Sequence, residues 1–423
     1  MKYKKQKYII VGNNNPFYQY LKSKESSKNN NSDLKQSSKI EKIEEKNNND
    51  KIQINDTKSL FFEINALNNF LLKYSKEFYE KFELLEMIKS GSAGVVYRGK
   101  LKNKKNPKEI AFKFLFDNNK ENTKKKSRKK SEEDELNVNN HHSEILLHGM
   151  LKNKHIPYVY GYYQIHNSSC IAMEFDKYGD IESFKRKILK KNCLSETFLL
   201  YIAGGIIDAL FYIHIKNKII HMDIKQQNVL IDDFLMVKLT DFSVGINYKS
   251  EKNYIDLPMV GTCYYMSPEV LNRKRILISE ASKIDIYSLG VLLYFLAFYD
   301  YPYKLNEVNS KDYPQIAKNI EENNLQFPEN TGHSKVFKNF LKNCLSKDIK
   351  KRYNIYEAMF DPWYKGYKII LDEKEKLYNA GKLVIDFMFD NIIPLNNYIK
   401  KQEIFLKSTI YLLYHFYFFY YLY

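Results

Sequence analysis

Ile219-Ile220-His221-Met222-Asp223-Ile224-Lys225-Gln226-Gln227-Asn228-Val229-Leu230-Ile231, followed by Leu239-Thr240-Asp241-Phe242, is the stretch that decides how the chain reads. A carboxylate, a lysine two residues on and an asparagine five residues on lie between apolar runs of strand length. Such a loop gathers a base, a cation and an oxygen ligand at one place. A second carboxylate, Asp241, follows another short apolar run. Asparagine and aspartate oxygens suit Mg²⁺, which prefers hard donors and keeps phosphate oxygens or water in its shell.

Upstream, alternation from Phe82 to Ile88, then Ser90-Gly91-Ser92-Ala93-Gly94, then Val95-Val96-Tyr97, predicts strand, glycine turn, strand. Gly91 and Gly94 alone are a weak signal. Glycines between strands do let backbone N–H groups approach a phosphate with no Cβ in the way. A third strand is expected over Ile110–Phe116, carrying Lys113. A lysine there needs a carboxylate to hold it charged and aimed, and Glu144 opens an apolar helical run, EILLHGML, able to supply one.

These motifs, in this order, resemble the eukaryotic protein kinase family of the Ser/Thr type, from about Phe82 to Trp363. Gly91 to Tyr97 looks like the Gly-rich loop, Lys113 the β3 lysine and Glu144 its αC partner. Met173-Glu174-Phe175 is similar to the gatekeeper and hinge, with Gly179-Asp180 after it. Asp223 matches the catalytic aspartate and Asp241-Phe242-Ser243 the metal-binding motif. Gly261-Thr262 and Ser267-Pro268-Glu269 resemble the end of the activation segment, Asp285 and Gly290 the central helix, and Arg352 the arginine that pairs with Glu269. Asp361-Pro362-Trp363 follows Arg352 as in calcium/calmodulin-kinase-like members, without fixing the subfamily.

The resemblance implies an α+β, bilobal protein-kinase fold, with a small mostly-β N-lobe and a larger, mostly helical C-lobe. It implies ATP with Mg²⁺ (or Mn²⁺) as cofactors and Ser/Thr hydroxyls of protein substrates as acceptors. Asp223 would take the acceptor's proton, Lys225 would stabilise the transferring phosphoryl, and Lys113, held by Glu144, would orient the α/β-phosphates. Asn228 and Asp241 would hold the metal, and Thr262 would position the substrate. Ile88, Gly91, Gly94, Val96, Ala111, Lys113, Met173, Glu174, Phe175, Asp180 and Leu230 would line the nucleotide site. The histidine before Met222, His221, reads as a packed structural residue.

The chain departs from the family at Lys89, in place of the first loop glycine, and at Ala93, Ser243 and His148. These departures motivate the alternative, a pseudokinase scaffold. All six residues that do the chemistry are nevertheless present, which favours an active kinase. In members switched on by phosphorylation, the phosphate pairs with an arginine before the catalytic aspartate. That residue is Met222 here, and the usual acceptor position, three before Gly261, is Pro258. The segment from Asp241 to Glu269 is therefore expected to reach its active arrangement without phosphorylation. Tyr248, Ser250 and Tyr254 lie too far upstream for the usual pairing. Gln227, where basophilic members often carry an acid, implies no strong preference for arginine upstream of the acceptor.

The 423 residues carry 67 Lys and Arg against 50 Asp and Glu, a net charge of +17, and 44% are hydrophobic, enough for a sizeable core. That composition excludes a wholly disordered or fibrous chain. The excess of Tyr, Asn, Lys and Ile reads as codon bias and carries little functional weight. Residues 1–58 read as a disordered Lys/Asn-rich extension and 59–81 as a lead-in helix. Residues 82–364 read as the kinase domain, 117–143 as a charged insertion, and 365–423 as a tail. The insertion holds 7 basic and 6 acidic residues, segregated into KKKSRKK and EEDE, so nucleic acid is not expected as the main partner. Four scattered cysteines and the lack of a long apolar leader lead to the expectation of a cytoplasmic monomer, with the nucleus as the alternative on the basic run. Leu289–Phe298 is too short to span a bilayer and reads as a buried helix. The aromatic end, Phe405–Tyr423, reads as a packing segment or translated non-coding sequence. Its Lys407, His415 and tyrosines make a poor bilayer centre, although an anchor there is not excluded.

Overall fold

In the computed structural model, which describes residues 78–91, 94–115, 144–165, 168–190, 192–248, 253–379 and 399–403, a short helix α1 (Phe78–Lys81) leads into an antiparallel hairpin. Its strands are β1 (Phe82–Gly91) and β2 (Gly94–Leu101). Gly94 has φ +149°, and a Cβ there would stand 2.0 Å from the Phe114 carbonyl oxygen, so only glycine fits. The expected extension 1–58, the insertion 117–143, the loop tip at Ala93, Ser250 and the aromatic end lie outside the described residues, as does the lead-in helix before Phe78.

The chain divides into two compact units. The first, through Ile145 plus Val159–Glu174, is built on a five-stranded antiparallel sheet of order β1-β2-β3-β5-β4. Here β3 is Glu109–Leu115, β4 Val159–Ile165 and β5 Ser168–Glu174. One face buries Phe78, Phe82, Ile110, Phe112, Ile165, Cys170 and Ala172. The Phe78 ring meets Phe112, Phe114 and Tyr163 edge-on. The stretch from Glu144 to Trp363, whose sequence reads as mostly helices with short loops, also holds β4 and β5. Cys170 to Met173 are all buried, so β5 shows no alternation. A short apolar run of that kind cannot be told from a buried helix by periodicity.

The second unit, Leu146–Tyr158 plus residues from Phe175 on, is mostly helical, as the resemblance implies. After helical residues 144–150 (α2) it contains α3 (Ile181–Phe184), α4 (Glu196–Phe211), α5 (Pro268–Leu271) and α6 (Lys283–Phe298). There follow α7 (Tyr313–Glu322), α8 (Lys335–Cys344), α9 (Ile355–Phe360), α10 (Pro362–Lys365) and α11 (Tyr367–Asn379). Helices α4 and α6 are apolar on every side and lie inside one large core. Residues Glu196–Asn217 and Ile278–Phe298 are long and apolar enough to cross a membrane, but 78% and 83% of their apolar windows are buried in the protein. They are core helices.

Side-chain caps fix where the outer helices begin. Ser334 caps α8 through Phe337 N–H, and Asn354 with Glu357 forms a reciprocal capping box on α9. Tyr367 of α11 covers Gly204 of α4 so closely that a Cβ there would sit 2.2 Å from the ring. Short strands hold the loops that matter for chemistry. β6 (Gly179–Asp180), β8 (Val229–Ile231) and β9 (Val237–Leu239) form one sheet, and β7 (Ile219–Ile220) pairs with β10 (Ile246–Asn247). β11 (Tyr254–Asp256) pairs with β12 (Arg275–Leu277).

Candidate functional site

In the first unit, Lys113 sits on β3, the central strand, with its side chain 9% exposed. Its Nζ donates to Glu144 Oε1 at 2.6 Å, and the Glu144 side chain is 1% exposed. A buried lysine stays charged only if a carboxylate offsets its desolvation, and this pair, 31 residues apart, supplies one. The same carboxylate, after burial itself, pushes the Tyr162 hydroxyl well above its ordinary pKa. Val96 lies opposite Lys113 in the β2–β3 register, and Ala111 lies opposite Met173 in β3–β5. Ala111 and Met173 are buried, Val96 and Glu174 half-buried, and Ile88 of β1 is exposed. Gly91 ends β1, and a Cβ there would meet open space.

The second unit carries the loop between β7 and β8. Its geometry is set from beneath by Asp285 of α6, which is completely buried. Asp285 Oδ2 accepts from His221 N–H (2.7 Å) and pairs with His214 Nε2 (2.8 Å), while Oδ1 accepts from Met222 N–H (2.9 Å). One carboxylate therefore holds two consecutive backbone amides, the second belonging to a residue with φ +68°. His221 is packed, as expected, with its ring 4.9 Å from Phe242 and Nε2 against the Thr240 carbonyl.

Asp223 projects from this loop as the hub of a polar cluster. Thr262 Oγ1 donates to Asp223 Oδ1 at 2.8 Å, and Lys225 Nζ lies 2.7 Å from both Asp223 Oδ2 and Thr262 Oγ1. Asn228 Nδ2 donates to the Asp223 carbonyl (2.8 Å) and to its Oδ2 (3.0 Å). Thr262 can enter because Gly261 precedes it, at φ +102°; a Cβ on Gly261 would stand 2.4 Å from the Met222 carbonyl oxygen. Four of the residues singled out from the sequence thus converge within hydrogen-bonding distance, across 39 residues of chain.

Asp241 follows β9 with φ +69°, a costly setting for a residue with a side chain. Thr240 N–H donates to the Asn228 carbonyl at 3.0 Å, joining the Asp241 turn to the Asn228 loop. Phe242 is fully buried, flanked by His221 and by His148 at 5.3 Å. His148 does not stand idle, since its ring nitrogen Nε2 is 2.9 Å from the Pro157 carbonyl. With both Asn228 amide protons directed at Asp223, its Oδ1 is left as a neutral oxygen donor. Among the described residues no three His, Cys, Asp or Glu side chains cluster to hold a metal. Few protein oxygens with remaining positions for phosphate or water is a donor set that suits a hard divalent cation.

The remaining positions take up further places in the second unit. Asp180, expected at the nucleotide, caps α3, where its Oδ1 accepts from Ser183 N–H at 2.7 Å. Leu230 is half-buried in β8, opposite Asp180 and Lys238, and Phe175 opens the second unit half-buried. Gln227 is no acid, yet its Nε2 lies 2.5 Å from Glu182 Oε2, so the fold brings a carboxylate to that spot from α3. Downstream, Glu269 of α5 is paired with Arg352 at 2.6 and 3.0 Å. Burial alone would raise the Glu269 carboxyl, but the guanidinium prevails and holds it below the ordinary value.

A family model described as "protein kinase domain" matches residues 82–364 of the chain, more than half of it. The chain is 31% identical over 266 residues to "Calcium-dependent protein kinase 6" of Plasmodium berghei, covering 59% of this chain and 17% of that protein. It is 32% identical over 217 residues to "Serine/threonine-protein kinase PAK 1" of Mus musculus, covering 51% and 37%. It is 31% identical over 292 residues to "Serine/threonine-protein kinase dst2" of Dictyostelium discoideum, covering 67% and 23%. The chain therefore spans well under half the length of each of these relatives.

Proposed function

Because the chain belongs to the protein kinase family, whose members use ATP and a divalent cation, we propose that it is a catalytically active serine/threonine protein kinase that works with Mg²⁺. The observation that carries this reading is the cluster of Asp223, Lys225, Asn228 and Thr262. A chain relieved of catalysis has no need to aim a carboxylate, a lysine and an amide at one point.

Phosphoryl transfer asks little covalent chemistry of the protein, so rate comes from positioning and charge. Asp223 is placed to orient a hydroxyl and take its proton, since its Oδ1 already accepts from the hydroxyl of Thr262. An incoming Ser or Thr hydroxyl takes up the same kind of bond. Lys225 sits on the other oxygen of Asp223 and keeps positive charge beside the transfer point. Lys113, held by Glu144, supports the phosphates of the nucleotide. A Mg²⁺ held by Asn228 Oδ1 and the Asp241 carboxylate would neutralise phosphate charge. Proteins bearing Ser or Thr are the substrates under this reading.

Asp223→Asn tests it. The amide keeps the size of the side chain and cannot take a proton. Transfer of labelled phosphate to a generic protein substrate should fall by at least about a thousandfold, on the order of 4 kcal/mol in barrier, with nucleotide binding retained. Equal signal from wild type and variant would sink the proposal and favour a scaffold.

A further inference from the structure

Between Asp241 and Glu269 the chain must deliver Gly261 and Thr262 to Asp223, and something must hold it there. Met222, beside Asp223, is apolar and buried in the main core, so it offers no charge to an anion on the segment. Pro258, half-buried, has no hydroxyl to modify. The structure instead shows a backbone tie. Strand β11 runs antiparallel to β12, pairing Tyr254 with Leu277, Ile255 with Ile276 and Asp256 with Arg275. Ile278 N–H donates to the Asn253 carbonyl at 3.0 Å. In an antiparallel ladder hydrogen-bonded pairs alternate, so Ile255–Ile276 is the next bonded pair after Asn253–Ile278. Ile276 is buried and Ile255 half-buried against the core. Arg275 makes a two-point contact with Asp256 at 2.7 and 3.0 Å.

This ladder closes the mouth of a loop. Inside the loop lie Thr262, hydrogen-bonded to Asp223 and Lys225, and Glu269, held by Arg352. Only residues 257–260 separate the end of β11 from Gly261, and the first of them, Leu257, is buried. Fixing β11 therefore fixes the entry of Thr262 to the catalytic loop, and Lys274 N–H, bonded to the Glu269 carbonyl at 2.9 Å, ties the other limb.

We propose that Ile255, Asp256, Arg275 and Ile276 are positioning residues whose strand pair holds Gly261–Thr262 against Asp223 and Lys225 without a phosphate in the segment. The inference about turnover rests on the kinase reading; the inference about order does not.

The test uses the full chain treated with a phosphatase, with complete dephosphorylation confirmed by intact mass. Hydrogen exchange over 253–262 should remain protected after treatment. Ile276→Pro, which removes a ladder N–H, should open 253–262 while α6 stays protected. It should lower kcat on a peptide at least tenfold with KM for ATP unchanged, and Ile276→Val should change neither. If the proline variant loses protection throughout, Asp256→Arg carries the test, with Arg275→Asp added to it as the rescue. The single change should raise exchange and lower kcat at least threefold, and the double should restore both. Exchange in dephosphorylated wild type as fast as in the opened variant would overturn the proposal. So would an opened segment with undiminished kcat, or a double variant no better than the single. If wild type shows no transfer at all, the kinase reading falls, and the exchange comparison still decides whether the ladder orders the segment.

Discussion

Replacing Arg352 by Met should destabilise the second unit severely, with a pH signature that identifies the cause. The guanidinium is completely buried. It pairs with both Glu269 oxygens, donates through Nε to the Ser346 carbonyl (3.0 Å) and through Nη1 to the Lys283 carbonyl (3.2 Å), and lies 4.9 Å over the Tyr287 ring. Methionine fills much of the volume but leaves a buried carboxylate uncompensated, a change that costs about 3–5 kcal/mol. For a domain of this size that is a fall in Tm of roughly 6–20 °C. The pH dependence separates lost charge pairing from lost packing. In the wild type, burial opposes ionisation of Glu269 but Arg352 outweighs it, so the folded pKa is lowered from 4.5. The stability so gained is present above about pH 4.5 and is lost as pH falls through the lowered value. Without Arg352, burial is left as the largest influence and the sign reverses. The penalty is then absent below about pH 4.5 and grows as pH rises toward the raised value. Thermal or urea unfolding of both proteins from pH 7 to pH 4.5 should show the gap between them narrowing. A gap that stays constant across that range would refute the electrostatic reasoning and leave only packing.

Two further outcomes follow from the catalytic loop. Gly261→Ala forces a side chain at φ +102° into the Met222 carbonyl, so kcat/KM for a peptide should drop at least tenfold, with a stability cost of about 1–3 kcal/mol; unchanged kinetics would mean the loop yields freely. Asp285→Asn keeps shape but turns an NH₂ toward a donor among His214, His221 N–H and Met222 N–H. It should cost about 2–4 kcal/mol in urea unfolding, and a loss below 0.5 kcal/mol would argue against the three-point hold.

The site was legible where chemistry is tied to local order. Asp223, Lys225 and Asn228 fall within six residues, and Lys113 and Glu144 each stand at a recognisable place on a strand and a helix. Their partners were harder to see. Asp285 lies 64 residues from His221, and nothing in its own helix announces that its oxygens face a distant backbone. The three-residue strands β11 and β12 are too short for alternation to register, so the tie on the activation segment is a tertiary fact. Asp180 shows the converse. A carboxylate before an apolar turn can serve as a ligand and as a helix cap, and its hydrogen bond to Ser183 N–H shows the cap. The same ambiguity hid β5, where continuous burial erased the period that marks a strand.

The contact between Gly204 and Tyr367 joins two places that no local pattern connects. Helix α11 begins beyond the last residue matched by the family model, yet its first residue occupies the space where any other residue at 204 would need to go. A methyl group at 204 and the ring at 367 compete for one volume. An alanine at 204 would require the ring at 367 to move aside, and loss of the ring would uncover a stretch of α4. The packed unit thus reaches past the boundary that sequence comparison draws, and its outer edge is written in a missing methyl group.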